Sequence, residues 1–189
     1  KGLQLIAELI VSGIYGLTTK TMGEKNAKFA PYMGTLIIFL TIGSSAGLFG
    51  LRPMTADINV AFALSIVTFF ILQISSIKNR GFGGHLKHYG QPYPFMYPIK
   101  IIEDVALPIS LAFRLFGNIT GGMIVMALAF QGLGVISETL GSGIPFLQFL
   151  IPLPLNLFFD VFEPVLQSFI FTMLTMAFVS MATLSHDDH

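Results

Sequence analysis

The chain alternates long stretches without a single charge with short clusters of Lys, Arg, Asp and Glu. A helix needs roughly 20 predominantly apolar residues to cross a bilayer, and four windows reach that length: 29–51, 58–77, about 98–136 and about 145–185. The first two are uninterrupted and joined by a short turn holding Arg52, Pro53 and Asp57, which predicts a transmembrane hairpin over 29–77. Arg114 interrupts the third window, and Asp160 and Glu163 interrupt the fourth. At about 1.5 Å per residue, a helix over 98–130 is roughly 50 Å long against a hydrocarbon core of about 30 Å. The last two helices are therefore predicted to be strongly tilted, as a second hairpin over 98–185, with Pro108 and Pro164 as places to bend. A loop over 131–142, carrying Glu138, is expected between them.

The opening stretch has a different period. Gln4, Glu8 and Ser12 recur at four-residue steps, while Leu3, Leu5, Ile6, Leu9, Ile10 and Ile14 surround them. This predicts an amphipathic helix at the membrane interface, within segment 1–19. A signal peptide is the competing reading, but Glu8 breaks its apolar core and no small-residue cleavage site follows. The sequence starts at Lys1 rather than Met, so a preceding segment with a further span is expected. Lys20, Lys25 and Lys28 precede the first span, and Lys78, Arg80, Lys87 and Lys100 follow the second. The positive-inside rule puts these on the cytoplasmic side, together with the loop 78–97 and the tail 186–189. The fold class read from the pattern is all-α: a single polytopic membrane domain over 1–189.

Composition narrows the function. Of 189 residues 53% are hydrophobic and 11% charged, with ten bases balancing ten acids; a soluble chain carries roughly 25% charged residues. The missing basic excess argues against nucleic acid, and the absence of cysteine removes thiol catalysis and thiolate metal sites. No nucleotide loop or enzyme motif is present, and no cofactor or metal is expected. His85 and His88 read as wet loop surface, His186 and His189 as solvated tail.

The chemistry lies in two polar stripes at lipid depth. At about 100° per residue, Glu103, Ser110, Asn118 and Gly121 all fall within about 40° of Arg114, with Asp104 beside Glu103. On the last helix Asn156, Glu163 and Gln167 fall within about 60° of Asp160. Each intramembrane charge costs at least roughly 2.5–3.5 kcal/mol, so such clustering points to function. By depth, Asp160 and Glu163 form an outer set, Glu103, Asp104 and Ser110 an inner set, and Arg114 stands between, level with Gln167. Arginine keeps its proton in proteins; Arg114 is a fixed cation that stops protons and attracts carboxylates. A carboxylic acid carried past it on another subunit would have to release its proton. The plainer alternative is an internal ion pair of Arg114 with Asp160 or Glu163 that ties two helices together.

The stretch EDVALPISLAFRLFGNITGG, residues 103–122, and LQSFIFTMLTM, residues 166–176, resemble the a subunit of the F-type ATP synthase, as do PMTADIN at 53–59 and KNRGFGGHLKHY at 78–89. The resemblance implies a proton-translocating stator subunit with two offset aqueous half-channels separated by Arg114, coupling proton flow to rotation of a ring of c subunits. It implies the c ring, the b subunits of the peripheral stalk and the lipid bilayer as partners, with no nucleotide bound and no catalysis by this chain alone. The location implied is a bacterial plasma membrane. Arg114 matches the family's indispensable arginine and Asn118 and Gln167 its polar neighbours, while Glu103 and Ser110 match the cytoplasmic half-channel. Met123 stands where some relatives carry a channel glutamate and Asp160 where they carry a histidine, which leaves the outer relay to Asp160 and Glu163; Leu107 replaces a commonly basic residue. An independent ion channel or secondary transporter is the competing function, a passive membrane anchor a third.

Overall fold

A computed structural model describes residues 2–89, 95, 97–139 and 151–183, and every structural statement below refers to these. All regular elements among them are helical. Helix α1 (Gly2–Met22) leads through a 3₁₀ segment (Glu24–Phe29) into α2 (Ala30–Ser44), where Pro31 occupies the first turn and its missing N–H costs no intrahelical bond. A further 3₁₀ turn (Ser45–Phe49) ends at Gly50, whose φ of 70° lets the chain reverse. After the short turn Met54–Ala56, α3 (Ile58–Tyr89) returns, with the Asp57 carboxylate accepting from the Asn59 amide at its start. Helix α4 (Tyr97–Thr139) is the longest, followed by α5 (Pro152–Leu157), a π-helical turn (Phe158–Phe162) and α6 (Glu163–Thr183).

Five helical segments are long and apolar enough to cross a membrane: Gly2–Met22, Glu24–Phe49, Ile58–Asn79, Tyr97–Thr139 and Pro154–Thr183. The chain is an all-α, multi-pass membrane protein. Helix α1 passes this test as well, although its polar stripe led to the expectation of an interfacial helix.

Two boundaries differ from the sequence expectation. The 131–142 loop is helical as far as Thr139. Gly132 and Gly134 weaken that turn by about 1 kcal/mol each, but no proline stops it, and Ser137 is buried. The 78–97 loop begins as helix, with α3 reaching Tyr89 across a kink at Gly81, where φ is 71° and ψ 162°. Pro108 does not end α4: a single missing N–H is absorbed within 43 residues. Pro164 acts differently. It cannot donate to the Asp160 carbonyl, and upstream the ladder slips so that the Glu163 amide donates to Phe158 O, five residues back. His186, His189 and the rest of the tail 186–189 lie outside the described residues, as do the side chains of His85 and His88.

The core joins four helices. Leu36 and Leu40 from α2, Ala61 from α3, Leu111, Ala112 and Leu115 from α4 and Phe171 from α6 form one buried cluster. A second, around Met22, Met33, Leu72, Met176 and Val179, draws in the end of α1. Hydroxyl pairs stitch the same helices: Tyr32 with Thr68 at 3.0 Å and Thr41 with Ser168 at 2.7 Å. At the far end of α6, Asn26 donates to Thr183 Oγ1 and Asn79 to the Thr183 carbonyl.

Candidate functional site: a fixed cation between two acidic sets

Leu111, Leu115, Ile119, Gly122 and Met126 are buried on α4, at spacings of three and four that define its packing face. This face fixes where its polar residues go. Arg114 is half-buried, and its Nη1 is fully buried with no hydrogen-bond partner. One turn on, Asn118 donates from Nδ2 to Gln167 Oε1 of α6 at 2.7 Å. Gln167 is only 5% exposed, and its own Nε2 is likewise buried without a partner. Asn118 and Gln167 thus meet where α4 passes α6, one turn of α4 beyond Arg114, and each of Arg114 and Gln167 keeps a buried donor left over. Among the described residues the ion pair found is Lys100–Glu103, so the internal pairing of Arg114 with Asp160 or Glu163 is not formed.

Beyond this level, further along α4, sits a set we call distal. Asp160 and Glu163 line one cavity of about 180 Å³ with Ser44, Pro53, Ile119, Gly122, Met123, Met126, Asn156 and Phe159. Two glycines make room for the acids. A Cβ on Gly47 would stand 2.9 Å from Asp160 Oδ1, and one on Gly122 would stand 2.8 Å from Phe159 Cδ1 and 3.2 Å from Glu163 Oε2. The π-helical turn adds a residue to this stretch of helix, which shifts Asp160 relative to the packing face of α6. Neither carboxylate has a hydrogen-bond or ion-pair partner among the described residues, and each opens to the cavity. Ser44, at the cavity wall, shares its hydroxyl with Thr55 at 3.0 Å.

On the other side of Arg114, toward the start of α4, lies a proximal set. Glu103 is 64% exposed and takes an ion pair from Lys100 at 3.2 Å. Asp104 is half-buried and its Oδ2 accepts from Gln73 Nε2 of α3 at 2.9 Å. Ser110 is exposed on the outer face of α4. Along the helix the two sets are separated by roughly 25–30 Å of α4, at about 1.5 Å per residue between Asp104 and Gly122.

All eight residues singled out from the sequence therefore have a place: Asn118 and Gln167 together with Arg114 one turn before them on α4, Asp160 and Glu163 together, and Glu103, Asp104 and Ser110 spread over the start of α4. Sequence reasoning missed Gln73, Gly47 and Gly122. Gln73 carried a signal, since it is an amide within the otherwise apolar window 58–77; the glycines carried none, because only the packed neighbour reveals why a methyl does not fit.

Comparison with known proteins bears on this arrangement. Residues 1–180 match the family described as ATP synthase A chain. The chain is similar to ATP synthase subunit a of Moorella thermoacetica, 31% identical over 181 residues, covering 95% of this chain and 76% of that protein. It is 36% identical over 183 residues to ATP synthase subunit a 3 of Pelobacter propionicus, with 94% and 73% covered. It is 32% identical over 192 residues to the sodium ion specific ATP synthase subunit a of Propionigenium modestum, with 93% of this chain and 62% of that protein covered. With five membrane-capable helical segments and a match over nearly its whole length, the chain belongs to the ATP synthase A chain family, as a multi-pass membrane subunit of the ATP synthase complex.

Proposed function

We propose that this chain moves ions through two half-routes, each open to one side of the membrane, which meet at Arg114 and are joined only by a carboxylate carried past on a rotating ring of c subunits. The observation that carries the reading is two orphan donors, Arg114 Nη1 on α4, one turn before Asn118, and Nε2 of Gln167, the residue of α6 that Asn118 bonds. A buried donor without an acceptor costs about 1–3 kcal/mol, more when charged. Two such donors on adjoining helices at lipid depth fit an acceptor supplied from outside the chain, of which a carboxylate is the natural kind. The guanidinium stays protonated and cannot relay a proton. It stabilises the ionised carboxylate as it passes, so the proton leaves before the crossing and a new one is taken up beyond it.

In this reading the distal cavity with Asp160 and Glu163 is the outer half-route, and the proximal set is the inner one. The lysines at the start of α2 and the end of α3 favour a cytoplasmic inner side and a cytoplasmic C-terminus. Helix α1 lies at the interface, where its exposed Gln4–Glu8 hydrogen bond meets water. Helix α4, at roughly 65 Å, is about twice the hydrocarbon thickness and crosses steeply tilted, which lets it follow the curved flank of the ring. The b subunits of the peripheral stalk hold the chain against that flank in a bacterial plasma membrane, and nucleotide chemistry belongs to other subunits. The transported ion is the proton, with Na⁺ as the alternative because one similar protein is sodium ion specific.

The test uses the assembled complex in sealed vesicles. Arg114→Ala is expected to abolish ATP-driven ion pumping while the complex still assembles; full coupling in that variant would overturn the reading. Liposomes holding this chain alone are expected to show no sustained flux. Steady conduction by the chain alone would favour an independent channel or carrier, and a pumping rate that follows added Na⁺ rather than pH would reassign the ion.

A further inference from the structure

Asp160 and Glu163 rim one cavity but lean on different helices. A Cβ on Gly47, in the 3₁₀ turn after α2, would stand 2.9 Å from Asp160 Oδ1, whereas one on Gly122 of α4 would stand 3.2 Å from Glu163 Oε2. A straight helix would not divide the acids in this way. Counted at about 100° per residue, Asn156, Asp160 and Glu163 all fall within about 40° of Gln167, on the stripe that meets Asn118 of α4. The buried face of α6, with Pro164, Ser168, Phe171 and Thr175, is centred about 70° round from that stripe. The π-helical turn Phe158–Phe162 holds one residue more than an α-turn. It therefore sets the residues upstream of it back by up to about 100°, in the sense that carries Asn156 and Asp160 off the Gln167 stripe and onto the buried face. There they meet the end of α2, whose Ser44 lines the same cavity.

Pro164, buried and one residue beyond Glu163, gives the extra residue its place. It has no N–H for the Asp160 carbonyl, and in an α-turn its ring would crowd that carbonyl. Pro108 lacks the same donor, yet α4 stays α-helical there. A proline thus permits the slip, and the seats at Gly47 for Asp160 and at Gly122 for Phe159 select it. We propose that Pro164 is a positioning residue for the outer half-route: the π-helical turn it permits swings Asn156 and Asp160 toward α2, so that Asp160 works from the α2 wall of the cavity and Glu163 from its α4 wall. The inference rests on the half-route reading above and adds to it a second wall and the residue that assigns one acid to each.

The chain has no cysteine of its own, so introduced pairs report the register directly. The assembled complex in inverted membrane vesicles is treated with copper phenanthroline as oxidant. Gly47→Cys with Asp160→Cys is expected to cross-link, because these positions meet when Asp160 is turned to α2. Thr41→Cys with Ser168→Cys, whose hydroxyls stand 2.7 Å apart downstream of the turn, is the control. Adding Pro164→Ala restores the missing amide and favours a straight helix, so the 47–160 cross-link is expected to fall at least about fivefold while the 41–168 cross-link is unchanged. Without the cysteines, Pro164→Ala is expected to slow ATP-driven pumping about five- to tenfold in complex that still assembles. Deleting Phe162, which is 54% exposed, from the Pro164→Ala chain removes the extra residue and turns Asn156 and Asp160 back toward α2. The 47–160 cross-link and most of the pumping rate are then expected to return, a recovery that loss of a merely structural proline would not show. That double variant also decides the matter if Pro164→Ala alone assembles poorly. A 47–160 cross-link indifferent to Pro164→Ala, normal pumping once that cross-link is lost, or no recovery on deleting Phe162 would each overturn the inference. Arg114→Ala, run in parallel, keeps the two levels apart: if it is inactive while Pro164→Ala pumps normally, only the role of Pro164 falls; if Arg114→Ala pumps, the half-route reading falls with it.

Discussion

The two acidic sets on either side of Arg114 are held by different kinds of restraint. At the proximal end each carboxylate has a chemical partner, Lys100 for Glu103 and Gln73 for Asp104. At the distal end Asp160 and Glu163 have none among the described residues and are placed by shape: glycine notches at Gly47 and Gly122, a π-helical turn, and the edge of a cavity. Partnered acids are sensitive to losing a hydrogen bond, and acids set in notches are sensitive to gaining a methyl group. The cation between them answers to neither rule, because arginine keeps its charge in proteins and its Nη1 has no partner among the described residues.

The largest effect is therefore expected at the cation. Arg114→Lys keeps the charge but loses the planar fork and can shed its proton, so pumping by the assembled complex is expected to fall at least about a hundredfold. Near-normal pumping would mean that a point charge suffices and that the orphan Nη1 has no role. Next comes Gly122→Ala. The nearest neighbour of the added methyl, at 2.8 Å, is the ring of Phe159, which stands edge-on to Phe158 at 5.3 Å and cannot yield without moving that pair. Overpacking of this kind costs about 1–3 kcal/mol. Both a lower melting temperature of the complex and at least about tenfold slower transport are expected, and an unchanged complex would show the notch to be incidental.

A smaller loss, about three- to tenfold, is expected for Glu163→Gln, which keeps shape and removes only the titrating group. Met123 lines the same cavity. Met123→Glu in the Glu163→Gln background is therefore expected to recover most of the rate, since it returns a carboxylate to the same pocket. Failure of that rescue, with assembly intact, would mean that Glu163 acts through its place at the π-helical turn rather than as one of two interchangeable acids.

Much of this was legible before any coordinates. Charge-poor windows located four of the five membrane-capable segments because lipid penalises charge wherever it falls, and the 3.6-residue period put Asn118 on the Arg114 face of one helix and Gln167 on the Asp160 face of another. What escaped has a common cause. The continuation of α4 to Thr139 and of helix past the kink at Gly81 runs against the local glycine cost, a weak prior that tertiary context overrides. The pairing of Gln73 with Asp104 depends on how α3 and α4 are rotated against each other, which no single helical wheel encodes. Likewise Pro164 could be read as a bend, but that the ladder slips to a π turn under Asp160 follows only from which carbonyls the neighbours leave free.

The smallest expected effect gives the cleanest separation of shape from chemistry. At Gly47 the obstacle to a methyl is not a ring or a backbone but Asp160 Oδ1, the far end of a side chain that can rotate. Gly47→Ala is therefore expected to leave the melting temperature of the complex unchanged while re-aiming the Asp160 carboxylate and slowing transport about two- to fourfold, an off-rotamer cost of order 0.5–1 kcal/mol. If the notch acts only through that carboxylate, the change has no further effect once Asp160→Asn is in place, and the double variant is as slow as Asp160→Asn alone. Strict multiplication of the two effects, as for independent sites, would instead show that Gly47 shapes the cavity for water or helix packing. The distal set would then owe its geometry to the wall and not to the seat of one acid.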